Sequence, residues 1–143
     1  MKVEAILSGK KSGVVTVAPE DTIATVARVL AEHGIGAVVV SDGLDGVAGI
    51  ITERDIVRAL ARFGRDTVDH GVAELMTRDV VTATAHDSID DVSERMTRGK
   101  FRHVPVMEGN RLIGMVSIGD VVKHRIESIE AEASAMREYI ATA

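Results

Sequence analysis

Apolar positions along the chain fall into two kinds of run. Ile23, Val26, Ala27 and Leu30 recur at helical steps, whereas Ala37 to Val40 and Val47 to Ile51 are short, unbroken apolar stretches of the kind found in buried strands. The succession returns further on, with Ile89, Val92 and Met96 at helical spacing, then apolar stretches at 104–106 and 112–116. Asp21-Thr22 and Asp87-Ser88 stand where N-caps belong, and Asp42-Gly43-Leu44-Asp45-Gly46 and Glu108-Gly109-Asn110 read as turns between paired strands. Preceded in each half by a short Val/Thr segment, the pattern predicts strand, helix, strand, strand, helix, twice over.

The two halves are copies. At an offset of 66 residues Val14-Val15-Thr16 meets Val80-Val81-Thr82, Asp21 meets Asp87, Ile23 meets Ile89, and Val38 and Val40 meet Val104 and Val106. One residue is lost in the turn, after which Gly49, Thr52, Asp55 and Val57 meet Gly114, Ser117, Asp120 and Val122. Upstream, 3–8 loosely echoes 72–77. Two copies are too few for a solenoid, so the chain reads as a duplicated module. We place repeat 1 at 1–62, a polar, glycine-containing linker at 63–71, repeat 2 at 72–127 and a helical extension at 128–143. In that last helix Val122, Ile126, Ile129, Ala133, Met136 and Ile140 keep heptad spacing. The first two are expected to pack on their own domain, and the rest to meet a second copy in a homodimer.

Composition narrows the function. A chain of 143 residues carrying a net charge of -5 and three aromatic residues is poorly suited to nucleic acid, which asks for cations and stacking surfaces. No cysteine is present, which removes thiolate chemistry and disulfides. With no signal-peptide core and no apolar run near about 18 residues, a soluble cytoplasmic protein without membrane contact is expected. Phosphate-loop, zinc-protease and dinucleotide-fold motifs are absent, and the five histidines keep no ligand spacing. Neither an enzyme nor a metal site is expected.

The motif that does recur is Gly49-Ile50-Ile51-Thr52-Glu53-Arg54-Asp55 and Gly114-Met115-Val116-Ser117-Ile118-Gly119-Asp120. A hydroxyl three residues before an acid at a helix start is a capping box, a purely structural device. The same helix start is also a seat for an anion, with a carboxylate beside it able to take two ribose hydroxyls. In the second copy Lys100, Arg102 and His103 gather cationic groups at one strand start, and a bidentate arginine suits phosphate. The first copy has the small, neutral Gly34-Ile35-Gly36-Ala37 there. The two sites are therefore not expected to be equivalent: the first would use backbone N–H groups, Arg54 or a residue from a partner, or would prefer a less phosphorylated or different ligand. Protonation of His103 would strengthen phosphate binding below about pH 6.5.

With these two segments, the Val-x-Val and Val-Pro-Val strands and the Thr16 and Thr82 positions ahead of Asp-Thr/Ser-Ile helices, the chain resembles a tandem pair of CBS domains, a Bateman module. It is similar to small free-standing bacterial proteins of that kind. The resemblance implies an α+β (α/β-like) fold of two pseudo-twofold β-α-β-β-α repeats packed through their sheets, with an extended C-terminal helix and a disc-shaped homodimer. It implies an adenine nucleotide, AMP, ADP, ATP or NAD(H), in clefts between the repeats, with no catalytic cofactor. Asp55 and Asp120 would bind ribose; Thr52 and Ser117 would sit near ribose or phosphate; Arg102 and His103 would meet phosphate. Thr16 and Thr82 would line the clefts, and Ile35, Ala37, Val104 and Pro105 would border the adenine. The function implied is a sensor of energy or redox state that signals to a regulated protein. The alternative is a structural interaction module whose two boxes only cap helices.

Overall fold

The computed structural model describes residues 1–10, 13–43 and 46–142. Leu44 and Asp45 of the expected turn, Lys11, and Ala143 of the extension lie outside them. The elements run α1 (Val3–Ser8), β1 (Thr16–Val17), α2 (Ile23–His33), β2 (Ala37–Val40), β3 (Gly49–Thr52), α3 (Glu53–Phe63), a 3-10 helix (Gly64–Asp69), α4 (Val72–Leu75), α5 (Ile89–Gly99), β4 (His103–Glu108), β5 (Arg111–Ser117) and α6 (Ile118–Thr142).

Local chemistry starts and stops these helices. The hydroxyls of Thr22 and Ser88 accept from the N–H groups of Thr25 and Asp91 and cap α2 and α5. Asp21 and Asp87 stabilise the preceding turns, accepting from Ala18 and Thr84 N–H at 2.8 and 2.9 Å. At the other end α2 closes on Gly34 in the left-handed conformation, with φ 62°. Its counterpart after α5 is Lys100, with φ 59°, the one non-glycine residue at positive φ among those described. A side chain there costs roughly 1–2 kcal/mol relative to the right-handed region.

In repeat 1, β2 pairs parallel with β1 and antiparallel with β3. In repeat 2 the hairpin β4–β5 is longer, but the expected strand at 80–82 is reduced to a single parallel bridge between Ala83 and Val106. Alternation divides each strand between two buried faces. Val38, Val40 and Ile51 join Ile23, Val26 and Leu30 in one core, and Val104, Val106 and Val116 join Ile89, Val92 and Met96 in the other. The opposite faces, with Ala37, Val39 and Ile50 in one sheet and Pro105 in the other, are also buried. A strand covered on both sides needs no polar alternation, which is why these stretches read as unbroken apolar runs.

The short helices are exchanged between the halves. Val3 and Ile6 of α1 belong to the repeat 2 core, with Leu7 packed against it, while Val72 of α4 and the following Met76 belong to the repeat 1 core. Matching backbone bonds hold both. Val3 and Val72 N–H donate to Asp87 and Asp21 carbonyls at 2.9 and 2.8 Å, and Ile89 and Ile23 N–H donate to Met1 and His70 carbonyls, each at 3.0 Å. The recurring glycines follow from this exchange. A Cβ on Gly49 would lie 2.6 Å from Met76 Sδ and 2.8 Å from the Thr77 carbonyl oxygen, and one on Gly114 would lie 2.4 Å from Leu7 Cδ2.

The linker is more ordered than its composition suggests, and one expectation for α6 needs correction. The segment 63–71 contains a packed 3-10 helix in which Thr67 is fully buried and its hydroxyl donates to the Ala59 and Gly64 carbonyls. In α6, Val121 is the buried anchor at 3% exposure, whereas Val122 and Ile126 are 49% and 51% exposed rather than packed on their own domain. One residue is about 100° of helix rotation, so the stripe facing repeat 2 runs through Val121, His124 and Ser128, and the heptad stripe faces away.

Candidate functional site: two clefts between the repeats

Both recurring motifs fold as capping boxes. Thr52 N–H and hydroxyl donate to Asp55 Oδ2 at 2.9 and 3.1 Å, while Asp55 N–H donates to Thr52 Oγ1 at 3.2 Å. In the second copy Ser117 N–H donates to Asp120 Oδ2 at 2.8 Å and Asp120 N–H returns a bond to Ser117 Oγ at 3.1 Å. The bonds that reach each carboxylate all end on its Oδ2. Among the described residues Oδ1 of either aspartate takes no hydrogen bond, so capping leaves an acceptor for a ligand.

Each carboxylate opens into its own cleft. Cleft A, of about 470 Å3, sets Thr52, Glu53, Arg54, Asp55 and Arg58 against Thr77, Asp79, Val80, Val81 and the stretch 99–103 of the second half. Cleft B, of about 370 Å3, sets Ser117 and Asp120 against Lys10, Gly13, Val14, Val15 and the stretch 34–37 of the first. This reverses the expected pairing. The basic strand start with Lys100 and Arg102 faces Asp55, and the neutral Gly34 to Ala37 faces Asp120. Arg102 is adjacent to the second helix start through its backbone, its carbonyl accepting from Ile118 N–H at 2.8 Å. Its side chain nevertheless lines cleft A, because a sheet edge packed across the pseudo-twofold looks into the cleft of the other repeat.

Other expected residues separate in the same way. Ile35 and Ala37 line cleft B. Thr16 and Thr82 line neither cleft; both are exposed, while Val15 and Val81, one residue earlier on the other strand face, line clefts B and A. Val104 and Pro105 also border neither cleft. Val104 is fully buried in the repeat 2 core, and Pro105 is a buried interior position of β4 whose carbonyl accepts from Ala83 N–H at 2.9 Å.

His103 and Gly36 line both clefts. A Cβ on Gly36 would approach Glu53 Oε1 at 3.2 Å and His103 Cε1 at 3.6 Å, so the wall between the clefts is thin and closely packed. Burial pushes the His103 pKa down; Glu53 and Asp120 oppose this, Lys10 and Arg102 reinforce it, and the net result lies below the usual histidine value. The ring is therefore neutral near pH 7.

Electrostatics divide the clefts further. In cleft B Lys10 Nζ lies 2.7 Å from Asp120 Oδ2 and donates to the Met115 carbonyl at 2.5 Å. Burial raises the Asp120 pKa, but the bonds from Lys10 and from Ser117 N–H outweigh it and hold the carboxyl below its ordinary range. In cleft A Arg54, Arg58, Lys100 and Arg102 make no ion pair among the described residues. Sequence reasoning missed Lys10, which lies 110 residues before its partner, and Arg58. A basic position one helical turn after Asp55 was the available signal for the second; nothing local signalled the first.

These features define a tandem pair of repeats, β-α-β-β-α in the first and the same order with the first strand reduced to one bridge in the second, with one carboxylate-bearing cleft per repeat. The CBS domain family profile matches residues 6–62 and 72–127, and the chain belongs to the CBS domain family. A CBS-domain containing protein from Agrobacterium tumefaciens is 46% identical and superposes with a TM-score of 0.84 over 87% of this chain and 99% of its own. A CBS domain protein from Pyrobaculum aerophilum complexed with AMP is 28% identical, with a TM-score of 0.75 over 84% of this chain and 89% of its own. The CBS domain-containing protein YhcV of Bacillus subtilis is 32% identical over 86% of each chain. The chain spans 66% and 61% of the length of two further curated relatives. No helix among the described residues is long and apolar enough to cross a membrane.

Proposed function

We propose that the protein is a regulatory adenine-nucleotide-binding module without catalytic activity of its own, and that cleft A is its principal site. The observation that carries this reading is the meeting, in one cleft between the repeats, of a carboxylate whose Oδ1 takes no hydrogen bond and cations that make no ion pair among the described residues. Asp55 takes the ribose hydroxyls, Thr52 and the first N–H groups of α3 lie beside the sugar and phosphate, and Arg58 and Arg102 meet phosphate. Val80 and Val81 offer the apolar wall for the base. The AMP complex of the Pyrobaculum relative supports the ligand class.

Binding reports to a partner only insofar as ligand favours one conformation over another. A homodimer fits this role. α3 exposes Val57 and Leu60 at 64% and 45%, and α6 exposes the equivalent Val122 together with Ile126 and Ile129, so each half presents exposed apolar side chains for a second copy.

One observation favours the structural alternative: both aspartates satisfy capping boxes without any ligand. Thermal unfolding in the presence of AMP separates the readings. A ligand at 100 times its dissociation constant adds about 2.7 kcal/mol to the folded state. We expect AMP to raise the midpoint and Asp55→Asn to cut the added stability to about 0.4–1.4 kcal/mol. A midpoint indifferent to AMP, ADP, ATP, NAD+ and NADH would leave only the interaction module.

A further inference from the structure

The last helix outruns the repeat it belongs to. Val121 is its buried anchor, yet Ile129 and Met136 are each 59% exposed and Ile140 is 67% exposed. With Val122, Ile126 and Ala133 they form one stripe that follows α6 for roughly 27 Å at 1.5 Å per residue. A projecting segment of roughly 15 residues is marginal as a free helix in water, so this stripe calls for a surface to cover it.

The charges flanking the stripe say what that surface is. They come in blocks: Lys123 and Arg125, then Glu130 and Glu132, then Arg137. Glu130, Glu132 and Arg137 make no ion pair among the described residues. Their own helix offers them none, because no residue three or four positions away from any of them carries the opposite charge. In a parallel pair of heptad helices, the charge before one apolar layer faces the charge after the next layer on the other helix. That geometry sets Arg125 against Glu130 of the partner subunit and Glu132 against Arg137 of the partner subunit, each twice by symmetry. Arg125 would exchange its pair with Asp90, at 2.8 Å, which is exposed on both sides and so worth little. An antiparallel pair with Ala133 against Val122 would match Lys123 and Arg125 to Glu130 and Glu132, but it would leave Met136 and Ile140 uncovered and Arg137 unmatched.

We propose that the stripe on α6 is covered by α6 of a second copy of this chain running parallel to it, so that like layers meet and Glu132 pairs with Arg137 of the partner subunit. The inference rests on the homodimer proposed above and adds its direction: repeat 2 of one protomer lies beside repeat 2 of the other.

The test uses the full chain. It contains no cysteine, so Ala133→Cys installs a single thiol. Parallel helices bring the two thiols into one layer, where a disulfide can close; the antiparallel arrangement holds them roughly 16 Å apart. Sedimentation equilibrium then follows self-association. Glu132→Arg turns two attractions into repulsions and should weaken the dimer by roughly tenfold. Adding Arg137→Glu should restore it, whereas adding Arg125→Glu should weaken it further. Rescue by Arg125→Glu, with no cross-link at position 133, overturns the parallel direction. A dimer indifferent to Glu132→Arg and not cross-linked at 133 overturns the α6 seam while leaving the homodimer intact, and a wild-type monomer overturns both.

Discussion

The two clefts descend from one repeated motif, yet they are chemically unlike. Cleft A combines a capping aspartate with cations from both halves that make no ion pair among the described residues; cleft B combines the equivalent aspartate with glycines, apolar side chains and a lysine that has already taken the carboxylate. Duplication supplied two helix starts with identical capping chemistry. The surroundings of each were supplied by the other repeat, so substitutions in one half altered the site of its neighbour. A nearly symmetric fold thus carries an asymmetric pair of sites.

The strongest challenge to this contrast sets Asp55→Asn beside Asp120→Asn. Losing a charge-assisted bond costs about 1.5–3 kcal/mol, so Asp55→Asn should weaken AMP binding by roughly 10- to 100-fold, and Asp120→Asn should change it little. Calorimetry decides; a larger loss from Asp120→Asn would make cleft B the main site. The glycines compare the halves by stability instead. Gly49→Ala meets the Thr77 carbonyl at 2.8 Å, a backbone atom that cannot swing aside, whereas Gly114→Ala meets only the Leu7 side chain. Overpacking costs about 1–3 kcal/mol, and denaturant unfolding should place Gly49→Ala at the upper end and Gly114→Ala below it.

Smaller effects come from the charges. Lys10→Met removes a partly exposed pair and should lower stability by no more than about 1 kcal/mol. Its sharper signature is the Asp120 carboxyl, which should titrate at higher pH by NMR once the ammonium is gone; an unmoved titration would mean that Lys10 does not hold it. The smallest effect concerns His103. Its pKa in the folded protein lies below 6.5, so the unfolded chain takes up the proton first as pH falls. The stability due to its neutral form is complete above about pH 6.5 and is lost as pH drops through the folded value. Protonation that aids phosphate binding is displaced to the same lower pH. His103→Gln should flatten the stability profile in that window, and an unchanged slope would assign the acid sensitivity to other groups.

Much of this architecture was legible in the sequence because it is local. Helical spacing at Ile23, Val26 and Leu30, the capping hydroxyls at Thr22, Thr52, Ser88 and Ser117, and the offset between copies each depend on residues a few positions apart. Even the exchanged helices left a trace in the echo of 3–8 at 72–77, although nothing showed that each packs on the other half. Thr16 and Thr82 were misplaced by a single residue of strand register. Val104 and Pro105 were misplaced because a strand covered on both faces reads much like one that borders a cleft.

Periodicity and capping operate over one or two turns of chain, and they suffice to read a duplicated β-α-β-β-α module with two capped helix starts. That Arg102 faces Asp55, that Lys10 holds Asp120 and that Val121 rather than Val122 anchors the last helix came from the packing of the folded chain. Those outcomes depend on how two sheets pack across a pseudo-twofold, and that packing brings together residues far apart along the chain.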